Sequence, residues 1–183
     1  MKVTKHPEIE GLLELTPNIY YDERGAFLES YNKKLFASLG IHEEFVQDNQ
    51  SVSAKGVVRG MHYQKPPFEQ VKLVRVVTGR ALDTVVDLRQ NSPTYGKCAT
   101  FVLESEKQNM VYVPAGFAHG FMAYEDNTIL FYKCTNFYNR EMEGGILWND
   151  PELCIDWGIE NPIVSEKDQQ LPLLKDHVPV FNW

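Results

Sequence analysis

Two histidines, His62 and His119, and one lysine, Lys72, stand inside strongly β-patterned sequence, in the strings RGMHYQ (59–64), VKLVRVV (71–77) and PAGFAHG (114–120). An unperturbed imidazole titrates at about 6.5 and so can take a proton at neutral pH, while a nearby ammonium can hold the negative charge that the proton leaves behind. Arg59, three residues before His62, adds a planar fork of donors suited to carboxylate or phosphate oxygens. The other histidines, His6, His42 and His177, lie near the termini or in a helix-like connection and read as structural.

Strand periodicity decides which of these groups can meet. Residues 62 and 64 share parity, so His62 and Gln64 point to one face of a strand. Arg59 has the opposite parity; either Gly60 marks a bulge that re-aims the chain or Arg59 reaches the same space from the strand's end. Lys72, Val74 and Val76 share a face, which sets an ammonium among apolar neighbours, a costly place unless it meets an anion or a carbonyl oxygen. Thr128, Leu130, Tyr132 and Cys134 also share a face, so Tyr132 can present a hydroxyl on an otherwise apolar surface. Asp168, in the string SEKD (165–168), is the carboxylate paired here with His62, because a base histidine needs a second group to orient it. Taken singly, a solvated lysine, a core histidine bonded to a backbone carbonyl and a buried tyrosine are all ordinary structural features. It is the set that argues for chemistry.

The elements that must carry the set are short β runs from about residue 45 to 135. Residues 70–88 read as a hairpin turning at Thr78-Gly79-Arg80, and further strands are expected at 100–103, 110–113, 120–124 and 128–134, with Asp126-Asn127 as a turn. Many short strands punctuated by Gly and Pro predict an all-β sandwich or barrel such as a jelly roll. One helix is expected over 32–39, with Asn32 as its cap and Gly40 just beyond its end. After Asp156 the prolines Pro162, Pro172 and Pro179 predict a loop-rich C-terminus lying over the barrel.

Composition narrows the classes of function. A chain of 183 residues is read as one domain spanning 1–183, long enough to bury a sizeable core. The net charge of −7 argues against nucleic acid as a partner, since phosphate neutralisation needs a basic stripe. Three scattered cysteines without a C-x-x-C pair fit reduced thiols, and with no apolar leader or run of roughly 20 apolar residues the expectation is a cytoplasmic protein without a membrane partner. His62, Gln64, Glu69 and His119 follow, in order and type, the spacing by which metal-dependent cupins gather three histidines and a glutamate. Gln64 stands in place of the second histidine, and an amide oxygen is a poor substitute for imidazole at a first-row transition metal, so no metal is expected.

The strings DERGAFLESYN (22–32), FVQDNQS (45–51), VVRGMHYQ (57–64), KLVR (72–75), VVDLRQNSPTYGK (85–97), VPAGFAHGF (113–121), LFYKCTNFY (130–138), EGGILWNDP (143–151) and SEKD (165–168) resemble the dTDP-4-dehydrorhamnose 3,5-epimerase family, collinearly and over nearly the whole chain. That resemblance implies a cupin-type jelly roll or double-stranded β-sandwich with short helical connections, a homodimer, and no cofactor. It implies that His62 is the base, that Asp168 holds its tautomer, that Tyr132 is the acid and that Lys72 lies beside the keto oxygen of a dTDP-4-keto-6-deoxy sugar. Arg24, Glu29, Gln47, Asp48, Asn49, Arg59, His119, Glu143 and Lys167 match positions lining the nucleotide-sugar site, and Tyr138 matches an aromatic near the nucleotide base.

The chemistry is self-consistent. Protons on carbons flanking a ketone are acidic only through the enolate they leave, so a base and a stabilised oxyanion are needed together. Inversion further requires a proton donor on the opposite face, which is the place for Tyr132. The same residues serve an epimerase of both C3 and C5 or of a single centre. A metal-dependent cupin oxygenase or isomerase, and a binding module without turnover, are the readings from other classes.

Overall fold

The computed structural model describes residues 1–183. Its strands are β1 (Lys2–Lys5), β2 (Leu13–Thr16), β3 (Ile19–Asp22), β4 (Gly25–Leu28), β5 (Gln47–Ser53), β6 (Val57–Gln64), β7 (Lys72–Thr78), β8 (Arg80–Asp87), β9 (Arg89–Gln90), β10 (Cys98–Glu104), β11 (Met110–Val113), β12 (Phe117–Ala123), β13 (Thr128–Cys134), β14 (Glu143–Gly145), β15 (Ile163–Val164) and β16 (Phe181–Asn182). Two short α-helices, α1 (Lys33–Ser38) and α2 (Glu166–Gln169), interrupt them. One sheet has the order β1-β2-β11-β7-β13-β5, and the other β10-β8-β12-β6-β14, with β15 lying parallel beside β6. These sheets form the β-sandwich that strand spacing and resemblance both imply.

Alternation in the strands builds the interior. Val74, Val76, Val111, Val113 and Leu130 from the first sheet meet Ala81, Val85, Leu103, Phe117 and Phe121 from the second. Each large apolar side chain buried this way contributes roughly 1.5–3 kcal/mol. The outer face of the second sheet is apolar too, at Val58, Met61, Tyr63, Val86 and Met122, and the C-terminal segment covers it with Ile146, Leu153, Trp157 and Phe181. On the first sheet, Phe36 of α1 and Ile41 cover Leu15, Leu73 and Met110.

The expected hairpin over 70–88 does not form. β7 pairs with β11 and β13, whereas β8 pairs with β10 and β12, so Gly79 carries the chain from one sheet to the other. Burial explains the difference: β8 is covered on both faces, and pairing the two strands edge to edge would give up the facing contacts between Val76, Ala81 and Val85. The helix matches its expectation, with the Asn32 side chain accepting from the backbone N–H groups of Lys34 and Leu35.

One irregularity matters for the site. Between β6 and β12, His62 lies opposite His119 and Arg59 opposite Phe121, so β6 carries one extra residue. Gly60, at φ +130, occupies this bulge. A Cβ there would stand 2.5 Å from Gly120 Cα, so the two backbones approach as closely as they do because both residues are glycine.

Candidate active site

The bulge resolves the parity conflict by turning Arg59 and His62 into the same cavity. That cavity, of about 570 Å³, opens between the sheets and is also lined by Lys72 of β7, His119 of β12, Tyr132 of β13 and Asp168 of α2. An adjoining recess of about 320 Å³ is lined by Tyr138, Glu143 and Lys167, and Lys167 borders both spaces.

His62 Nε2 lies 2.7 Å from Asp168 Oδ1. Asp168 itself is buried at the start of α2, where Ser165 Oγ accepts from its backbone N–H, and its Oδ2 accepts from the Gly60 N–H at 3.1 Å. Burial pushes the Asp168 carboxyl up, but the hydrogen bonds from His62 and Gly60, with the positive charges of His62 and Lys167, bring it below its ordinary value. An ionised carboxylate only accepts hydrogen bonds, so Nε2 carries a proton and Nδ1 is the nitrogen left for a substrate. The His62 side chain retains 29% of its exposure, which leaves it reachable from the cavity.

Lys72 Nζ sits 5.8 Å from the centre of the Tyr132 ring, with no carboxylate at ion-pair distance. Burial lowers its pKa, partly offset by Cys134, Asp83 and Glu143. Tyr132 is pushed up to about 12, first by burial and then by the same Cys134 and Glu143. A phenol held neutral in this way donates a proton rather than taking one. Arg59 gives its Nε to Ser53 Oγ and one Nη to the Val52 carbonyl, which fixes the guanidinium at the cavity wall. Phe121, Leu130, Val58 and Val164 supply the apolar part of the lining.

The remaining sequence candidates divide by direction. Gln47 and Asn49 face inward on β5, where Gln47 bonds both Asn49 and the Tyr138 N–H and Asn49 reaches Cys134 Sγ. Tyr138 gives its hydroxyl to Glu143, which also receives Lys167. Asp48 points outward, as its parity on β5 requires, and pairs with Lys133. Arg24 lies at the tip of the β3–β4 hairpin with its side chain 83% exposed, and Glu29 accepts from Asn32; neither lines the cavity of its own chain. The Gln64 side-chain Oε1 accepts from the Asn139 N–H, and Glu69 lies outside the lining.

Other lining or supporting residues escaped the sequence, Ser51, Ile163 and Asp83 among them. Ser51 shares the inward parity of Gln47 and Asn49 and reaches the cavity. Ile163 reaches it from β15, a strand too short to leave a pattern. Asp83, fully buried on β8, bonds His119; its inward parity with Ala81 and Val85 was legible, though its partner was not.

Comparison with known proteins gives the family. A family model described as dTDP-4-dehydrorhamnose 3,5-epimerase matches residues 6–176. A Shigella flexneri protein named dTDP-4-dehydrorhamnose 3,5-epimerase is 47% identical over 162 residues, covering 88% of this chain and 90% of the relative. The crystal structure of a Legionella pneumophila dTDP-6-deoxy-D-glucose-3,5-epimerase in complex with dTDP-4-keto-L-rhamnose superposes with a TM-score of 0.95 at 39% identity, over 100% of this chain and 98% of the other. A 3'-monoepimerase from Streptomyces bikiniensis in complex with dTDP-quinovose gives a TM-score of 0.88 at 32% identity, over 94% and 88%. Agreement of this kind, running from the first strands to the helix that carries Asp168, makes the chain a member of the dTDP-4-dehydrorhamnose 3,5-epimerase family.

Proposed function

We propose that this protein inverts C3 and C5 of dTDP-4-dehydro-6-deoxy-D-glucose to give dTDP-4-dehydro-L-rhamnose. His62 removes the proton next to the C4 ketone through Nδ1, while Asp168 holds Nε2 and stabilises the imidazolium that forms. Lys72 stabilises the enolate oxygen, and Tyr132 returns a proton to the opposite face. Arg59 and Lys167 engage the diphosphate, and Tyr138 stacks on the base. The observation that carries this reading is the His62–Asp168 pair opening on the same cavity as Lys72 and the neutral Tyr132 phenol.

A single-centre epimerase would use the same groups, and the likeness to a 3'-monoepimerase keeps that reading in play. Product stereochemistry separates them. Purified protein is incubated with the ketosugar nucleotide and the product is identified by NMR; the L-rhamno configuration supports the double inversion, and a product inverted at C3 alone contradicts it.

The working unit is a homodimer in the cytoplasm. The β3–β4 hairpin leaves Tyr20, Tyr21 and Phe27 more than half exposed beside Arg24, which is unusual for aromatic residues unless another surface covers them. In a dimer this arm brings Arg24 and Glu29 to the cavity of the second copy. Cys98, Cys134 and Cys154 are all free thiols, as a reducing compartment favours. Light scattering that gives one chain's mass would overturn the dimer.

A further inference from the structure

Asp83 is fully buried on β8, with the parity of Ala81 and Val85, so its carboxylate is set among the apolar side chains between the sheets. A carboxylate in such surroundings is costly unless hydrogen bonds hold it. Oδ2 meets His119 Nε2 at 2.6 Å, while Oδ1 is shielded from solvent and has no partner. The retained cost suggests a use. His119 lines the cavity and is the cross-strand neighbour of His62.

We infer that Asp83 is a positioning residue for the reaction: it fixes His119 with Nε2 protonated and Nδ1 turned to the sugar. The catalytic half of this inference rests on the function proposed above; the tautomer does not.

Long-range proton–nitrogen NMR spectra of the ¹⁵N-labelled, ligand-free protein test the tautomer directly. The expected spectrum shows His119 protonated at Nε2; a bare Nε2 with the proton on Nδ1 overturns the proposal, whether or not any turnover is found. In Asp83→Asn the amide can donate to Nε2, so the His119 proton is expected to move to Nδ1 and kcat to fall roughly 10- to 100-fold, the scale seen for partners that orient a functional histidine. An unchanged tautomer and an unchanged rate in folded Asp83→Asn would overturn the inference; if that variant does not fold, the wild-type spectrum decides. Absence of turnover in the wild-type protein would instead count against the proposed function and leave the tautomer result standing.

Discussion

His62 and His119 face each other across the β6–β12 pair, and each commits Nε2 to a carboxylate, Asp168 at 2.7 Å and Asp83 at 2.6 Å. Their surroundings differ. The His62 side chain keeps 29% exposure and that of His119 only 6%, so His62 is the more open of the two to the cavity and His119 the more enclosed. Two similar dyads thus differ in how far each is open to the cavity, and the roles proposed for them follow that difference.

Removing the base tests the first role. His62→Ala should lose at least about 100-fold in kcat, the scale of general base catalysis. Asp168→Asn should lose as much with the imidazole still present, because the asparagine amide can donate to Nε2 and move the proton to Nδ1, where the lone pair is needed. Steady-state rates measure both. Near-normal kcat in Asp168→Asn would contradict the assignment of Nδ1 as the basic nitrogen.

Tyr132→Phe separates proton removal from proton return. The sugar's C3 and C5 protons should still exchange with solvent deuterium in this variant, while inverted product forms roughly 10²- to 10⁴-fold more slowly, as for loss of a general acid. Loss of exchange and product in equal measure would place Tyr132 on the deprotonation step instead.

The alkaline pH limb has a definite sign. Lys72 must be charged to stabilise the enolate, and burial holds its pKa below the ordinary 10.5. Tyr132 keeps its proton up to about 12. Activity should therefore fall as pH rises through the Lys72 value, with Tyr132 still protonated. In Lys72→Arg the guanidinium stays charged, so whatever activity remains should keep its rate into the range where Tyr132 ionises. A limb at the same pH in Lys72→Arg would show that another group sets it.

Gly60 supports the site through the backbone. Gly60→Ala would place a Cβ 2.5 Å from Gly120 Cα at φ +130, and should cost at least about 2 kcal/mol in denaturant unfolding. Where the variant still folds, kcat should also fall, because the bulge aims both Arg59 and His62. Full activity and unchanged stability would mean the bulge is not needed.

Much of this site was legible in the sequence because strands write their facing directly into parity. Lys72 with Val74 and Val76, and Tyr132 with Leu130 and Cys134, lie on the faces that alternation assigned. Gly60 was readable as one of two ways to reconcile Arg59 with His62. Which sheet a strand joins is a different kind of information. A glycine turn between β7 and β8 looks the same locally whether the chain folds back beside itself or crosses to the facing sheet, and the choice rests on contacts with β10, β11, β12 and β13. The orphaned Asp83 oxygen and the exposed β3–β4 arm likewise depend on what surrounds them in three dimensions.

In the proposed mechanism one cavity forms an enolate at both carbons flanking the ketone. Proton NMR of dTDP-4-dehydro-6-deoxy-D-glucose with the protein in deuterium oxide follows each carbon separately. Loss of both the C3 and the C5 proton signals, abolished in His62→Ala, is the predicted result; exchange at one carbon alone, or exchange that survives in His62→Ala, would contradict it.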